Sequence, residues 1–343
     1  MEGDEGQRKT FTTRAEGQAG SVSVKIELTP RAGEQTMKER YGVEKYELGS
    51  GFSVSDSLRS LVPTSVPDYV DEGENYVSRI MRALYFFRQC ALIGPSGTGK
   101  THIVYLVAKI AGLPLWEINC GLQTSVYDLF GRFVGLGREN WIDGQIVSWC
   151  RYGGILYLDE ANMMKQDIAT RLNPILDTRG HMVLTEKDNE VIPRHPFGYV
   201  VISMNPYAAE FAGTKPLNAA FRRRMSVWVD FDYLSVGPKI SKREVAMIAE
   251  RANVPLTTTE RMVRVAADMR KRYKNGDLPY APSVGDIVNW ATLVADGLTP
   301  AAAAEETVIS MTSDDAEIQA GVRRIVHMIA GSDGGVKKPL ESA

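Results

Sequence analysis

The eight residues Gly94-Pro95-Ser96-Gly97-Thr98-Gly99-Lys100-Thr101 constrain this chain more than any other stretch. They fit G-x-x-x-x-G-K-[ST] at every fixed position and lie between the short apolar run Cys90–Ile93 and the stretch His102–Ala111, which is apolar on most sides. Strand, glycine loop and helix in that order is the context the pattern requires. Glycines at 94, 97 and 99 let backbone N–H groups curl around phosphate oxygens, and the positive end of the helix adds to the attraction. Lys100 is placed to reach the β- and γ-phosphates, and the Thr101 hydroxyl to ligate Mg²⁺. His102, the next residue, is counted with the residues expected at a bound nucleotide. A glycine-rich turn with no ligand is the competing reading, and the complete motif in its strand–helix setting counts against it.

Around this loop, helices and strands alternate. Glu74 to Arg88 places Val77, Ile80, Met81, Leu84 and Phe87 on one helical face, and further apolar runs occur at Leu115 to Ile118, Ile155 to Leu158, Tyr199 to Ser203 and Val227 to Phe231. Strands apolar throughout belong to a parallel sheet covered on both faces, so the fold class is α/β, a P-loop α/β/α sandwich with a mostly parallel sheet. After Phe231 only helical patterns follow, at Lys242 to Arg251, Thr258 to Tyr273, Ser283 to Ala295, Pro300 to Met311 and Ala316 to Ile329. The division expected is a mostly disordered extension over 1–60, the phosphate-loop core over 61–235, a helical domain over 236–330 and a disordered tail over 331–343. Within the extension only Ser21 to Leu28 alternates as a weak strand would.

Hydrophobic residues make up 44% and charged residues 24% of the 343, ordinary values for a chain with a buried core. The formal net charge of −2 gives no pointer to nucleic acid or an anionic membrane as the main partner. Cys90, Cys120 and Cys150 form no CxxC pair and have no histidine at zinc-finger spacing, so they read as small core residues in a reducing compartment. No signal-peptide core occurs at the N-terminus and no run reaches the ~18 apolar residues of a membrane span, which leads us to expect a soluble, cytoplasmic protein.

Three further segments carry chemistry. Gly154 to Leu158 is an apolar strand ending in Asp159-Glu160, where Asp159 suits a water-mediated hold on magnesium and Glu160 a general base for the attacking water. Alone, two acids after a strand read as a solvated turn; beside a phosphate loop they read as a site. Tyr199 to Met204 ends in Asn205, whose amide can bond both a phosphate oxygen and a water, though an asparagine before Pro206 also suits a plain turn. Arg222, Arg223 and Arg224 form either a solvated basic face, a nucleic-acid patch, or a source for an arginine that reaches the γ-phosphate of a neighbouring subunit.

These four elements in this order resemble the AAA+ ATPases. Val66 to about Leu234 is similar to the MoxR branch, especially the CbbQ/NorQ/NirQ activators and the CobS subunit of cobaltochelatase. The resemblance rests on VPDYVDEGENY, GPSGTGKTHIVYLVAKIAG, DLFGRFVGLGRENWIDGQIVSW, GGILYLDEAN, HMVLTEKDNEVIPRHPFGYVVISMNP and LNAAFRRRM followed by FDYL. It covers about half the chain, with motifs individually common and jointly specific. It implies that Lys100 and Thr101 are the Walker A pair, Asp159 and Glu160 the Walker B pair, Asn205 the first sensor and Arg224 the trans-acting finger. The segments Phe130 to Trp141 and Met182 to Ile192 would be the helix-2 insertion and the hairpin that face a ring pore, and the C-terminal helices a small AAA+ lid.

The resemblance further implies ATP and Mg²⁺ as cofactors and a homo-oligomer, commonly a hexameric ring. It also implies a client protein to be remodelled, activated or loaded with metal, and a partner carrying a von Willebrand A domain. One departure is that Ser283-Val284-Gly285-Asp286 puts Gly285 where the family's second-sensor arginine stands. Two other function classes compete. A nucleic-acid motor would use Arg132, Phe133, Arg138 and Trp141 in the insertion, which also carries Glu139 and Asp143. A slow-turnover assembly ring, as in gas-vesicle biogenesis, is the other; an intact Glu160 argues against a dead ATPase, while the missing second-sensor arginine argues for slow turnover.

Overall fold

The computed structural model describes residues 36–121, 124–135, 140–206 and 217–331. The strand expected at Ser21 to Leu28 and the tail beyond Gly331 lie outside them. In chain order come α1 (Met37–Arg40), a 3₁₀ turn at Asp56–Leu61, α2 (Tyr76–Phe87), β1 (Gln89–Ile93), α3 (Lys100–Ala111), β2 (Leu115–Asn119) and α4 (Val126–Phe130). A first hairpin follows, β3 (Gly131–Phe133) with β4 (Trp141–Asp143), then α5 (Gln145–Tyr152), β5 (Gly154–Asp159) and α6 (Gln166–Leu176). A second hairpin, β6 (His181–Leu184) with β7 (Glu190–Pro193), precedes β8 (Gly198–Met204), α7 (Ala219–Arg222) and β9 (Trp228–Asp230).

The main sheet has the order β2-β5-β8-β1-β9, with every pairing parallel. Side chains alternate across a pleated strand. Ile155 and Tyr157 of β5, with Tyr199 and Val201 of β8, accordingly enter the core that α2 and α3 cover. Leu156, Leu158, Val200 and Ile202 enter the opposite core, under α5 and α6. Burial on both faces is why these strands read as unbroken apolar runs. With β1 between β8 and β9, the glycine loop emerges beside the carboxyl ends of β8 and β5, where ligands of open α/β sheets bind.

The extension expected to be mostly disordered over 1–60 needs correction from Met37 onward. Val43, Tyr46 and Leu48 are buried in the α2–α3 core, and the Phe52 ring meets His195 and Phe197 at 5.5 and 5.4 Å. Their spacing follows neither a helical nor a strand period, because this segment is pinned by tertiary contacts rather than by a regular element.

Beyond β9 lie α8 (Lys242–Ala252), α9 (Leu256–Lys274), α10 (Val284–Ala295), α11 (Pro300–Ala304) and α12 (Ala316–Ala330), which gather around a third core centred on Trp290, Ile248 and Met262. The helix expected over Pro300 to Met311 instead passes from α11 into a π turn at Glu305–Ile309. Inside this bundle, Arg270 and Glu244 form a wholly buried ion pair at 2.9 Å. Ser283 and Asp286 cap α10 reciprocally, each side chain accepting the other's backbone N–H.

Candidate functional site

The glycine loop is held by close packing on both sides. Gly97 has φ +75°, and a Cβ there would sit 2.5 Å from the Ser283 Cβ at the start of α10. Gly99 has φ +85°, and its Cβ would lie 2.9 Å from the Tyr69 ring. Both positions need the left-handed region and the missing side chain. Two tyrosines clamp the loop's carbonyls: the Tyr69 hydroxyl donates to Thr98 O at 3.0 Å and the Tyr233 hydroxyl to Ser96 O at 2.8 Å.

Lys100 begins α3 and is buried. Its ammonium donates to Gly94 O and Pro95 O, both at 2.7 Å, and to Asn205 Oδ1 at 3.2 Å. Burial pulls its pKa down to about 8, against the opposing pull of the Asp159 and Glu160 carboxylates. The Thr101 hydroxyl donates to Asp159 Oδ2 at 3.1 Å and stands 3.1 Å from the Tyr157 hydroxyl. Ser203 donates to the other Asp159 oxygen, a contact that follows from register, since Leu158 pairs with Ile202 in the adjacent strands. Glu160, exposed, has φ 52° and ψ 43°, a left-handed conformation that costs a non-glycine residue energy.

These groups line one cavity of about 430 Å³, from Ser96 through His102 together with Asp159, Glu160 and Asn205. Gly94 and Pro95 stand behind it as acceptors of the Lys100 ammonium. Across it the helical bundle contributes Met247, Arg251, Arg270 and Ser283 to Gly285, so Gly285 does face the cavity, without a side chain. The donor set fits a nucleoside triphosphate with magnesium. Lys100 is held only by oxygens that phosphate oxygens can replace, and Thr101 with Asp159 offers the hard oxygen ligands that Mg²⁺ takes alongside water.

Arg224 is not at this cavity. Its guanidinium donates to Ala220 O at 2.7 Å and lies 3.5 Å from Asp177 Oδ2, its Nε is buried without a partner among the described residues, and its carbonyl accepts from the Gln89 side chain. The Arg179 guanidinium, with a smaller pull from Arg224, holds the Asp177 carboxyl down at about 2. Arg222 lies over the Trp228 ring at 4.3 Å, and Arg223 is exposed.

The segments expected as insertion and hairpin are both antiparallel β-hairpins. Arg138 and Glu139 of the first lie outside the described residues. Phe133, Val134 and Ile142 of the first and Val183 and Val191 of the second are exposed. Reading by motif missed Tyr69, Tyr157, Ser203, Tyr233 and Arg251 as residues of the site. Tyr69 and Tyr233 sit inside phrases that carried the family resemblance, VPDYVDEG and FDYL, which was the available signal. Among the described residues, no helix is long and apolar enough to cross a membrane.

Comparison with known proteins adds the lineage. The profile of the AAA domain (dynein-related subfamily) matches residues 89–225, and that of the CbbQ/NirQ/NorQ C-terminal region matches residues 244–329. Protein CbbQ of Hydrogenophilus thermoluteolus is 32% identical over 235 residues, 68% of this chain and 84% of the relative. Protein NorQ of Paracoccus denitrificans is 32% identical over 241 residues, 70% and 86% of the two chains. The denitrification regulatory protein NirQ of Pseudomonas aeruginosa is 30% identical over 239 residues, 69% and 88%. With the parallel sheet, the glycine loop and the C-terminal helices already in place, these matches make the chain a MoxR-type AAA+ ATPase of the CbbQ/NirQ/NorQ family.

Proposed function

We propose that this chain is a subunit of a homo-oligomeric ring, hexameric as in related rings, that uses ATP hydrolysis to remodel or activate a client protein complex. Lys100 and the loop amides bind the phosphates, Thr101 and Asp159 hold Mg²⁺, Glu160 takes the proton of the attacking water, and Asn205 orients that water. Arg224 serves the nucleotide of the adjacent subunit. The two hairpins, with their exposed apolar side chains, contact the client, directly or through a von Willebrand A-domain adaptor, and metal insertion is one form such activation takes.

The observation that carries this reading is the partition of the charged groups. Lys100 meets Asn205 at 3.2 Å and Thr101 meets Asp159 at 3.1 Å, all four lining one cavity, while Arg224 is anchored away from it on Ala220 and Asp177. A cation placed so does not serve its own subunit's nucleotide, which is what a finger for the neighbouring site requires. Steady-state ATP hydrolysis and sizing in ATP, on wild type, Glu160→Gln and Arg224→Ala, test it. A wild-type ring that turns over ATP, with both variants binding nucleotide but losing turnover by about 10²-fold or more, is the expected result. Normal hydrolysis by Arg224→Ala, or absence of any oligomer, sinks the shared site.

A further inference from the structure

Three cations besides the glycine loop's own amides could face a bound nucleotide, and two of them are spoken for. Lys100 is held by the loop and Asn205. Arg270 is fully buried; it donates to Pro282 O at 2.8 Å, Ser235 O at 3.2 Å and Glu244 at 2.9 Å, and its guanidinium lies over the Tyr233 ring at 4.8 Å. Its charge is balanced by Glu244 inside the bundle, and of its nitrogens only Nη2 has no partner among the described residues. The third, Arg251, is different.

Arg251 lies in the last turn of α8, four residues after Met247, so both side chains leave the helix on one face, and both line the cavity. It is exposed, and among the described residues its side chain makes no hydrogen bond and no ion pair. It stands near His102, whose pKa is lowered first by burial and then by the Arg251 charge, against the raising effect of the bond to Pro67 O and of Asp68. The nearby acid, Asp68, is already paired with Arg40. A long cation without a partner, aimed into a pocket built for an anion, is a ligand group in waiting. At the start of α10, another bundle element at this cavity, Gly285 has no side chain to offer.

We propose that Arg251 is the lid's nucleotide-binding cation, reaching across the cavity to the phosphate group nearest the sugar. The inference rests on the nucleotide reading of the cavity. Its placement follows from His102, which lines the cavity two residues beyond the loop lysine on α3, the lysine serving the β- and γ-phosphates and the loop amides the α- and β-phosphates. A contact there is common to ATP and ADP. It draws α8 toward α3 whenever either nucleotide is bound, so the lid answers to occupancy and not to the γ-phosphate.

Calorimetric titration of the full chain with ADP and with a non-hydrolysable ATP analogue, both with Mg²⁺, decides it on wild type, Arg251→Ala, Arg251→Lys and Lys100→Ala. Loss of one charge-assisted bond weakens Arg251→Ala by about tenfold for both nucleotides alike, with Arg251→Lys in between. Wild-type affinity in Arg251→Ala, beside a Lys100→Ala variant that no longer binds, overturns the assignment alone. A loss confined to the ATP analogue overturns the placement at the sugar end. If Lys100→Ala binds as wild type does, the nucleotide reading of the cavity fails and Arg251 falls with it. Because Arg251 is exposed and unpaired, the variants are expected to fold, and thermal unfolding without ligand checks this.

Discussion

Arg151 in α5 holds Glu190 of the second hairpin at 2.7 Å while its Nε holds Asp143, at the foot of the first, at 2.8 Å. Lys187 adds a 2.9 Å pair to Glu190 and lies 5.7 Å from the centre of the Trp141 ring. The two hairpins are thereby tied through one guanidinium. Each pair is about a third exposed, so it is worth about 1 kcal/mol at most. Arg151→Met is expected to speed amide exchange in both hairpins together, read by hydrogen-exchange mass spectrometry. Loosening of one hairpin alone would mean that the tie is not shared.

The Arg270–Glu244 pair is wholly buried, and removing one partner strands the other's charge. Glu244 Oε2 and the second terminal nitrogen of Arg270 already lack partners, so the pair has nothing to spare. Glu244→Leu should cost about 3–5 kcal/mol, and the double replacement Glu244→Leu with Arg270→Met much less. Chemical denaturation of wild type and the two variants gives the comparison; single and double losses of equal size would contradict it.

Glu160 keeps a left-handed backbone at the position proposed for the base. Glycine relieves that strain, so Glu160→Gly should unfold no earlier than wild type and gain up to about 1 kcal/mol, while ATP turnover disappears. A marked drop in melting temperature would mean that the carboxylate contributes to stability as well as to chemistry.

Burial pushes the thiols of Cys90, Cys120 and Cys150 up to about 12, and all three are free. Only the thiolate reacts. The folded protein at pH 8 is therefore expected to resist iodoacetamide at every cysteine and to take up three equivalents in denaturant, counted by intact mass. Rapid labelling of any one under native conditions would place it in a part of the chain that opens.

Much of this was legible in advance for a definite reason. The central strands are covered on both faces, so each became an apolar run of strand length, and the glycine loop, Asp159-Glu160 and Asn205 each follow such a run directly. The parts that this reading missed are those whose cause is long-range. Val43, Tyr46 and Leu48 are buried yet obey no period. Arg270 meets Glu244 across 26 residues, and the Tyr233 hydroxyl meets Ser96 across 137. Such contacts belong to the packed molecule and have no local signature.

Strand β1 carries a different message at each end. Its first residue, Gln89, grips the carbonyl of Arg224, and its last, Ile93, runs into the loop that carries Lys100. On the proposed reading, what a subunit lends to its neighbour and what it uses for itself hang from the two ends of one rod of about 16 Å. That rod is buried and paired with β8 along its whole length, so on the same reading the loop and the finger share one support, and a substitution that loosens β1 would disturb both at once.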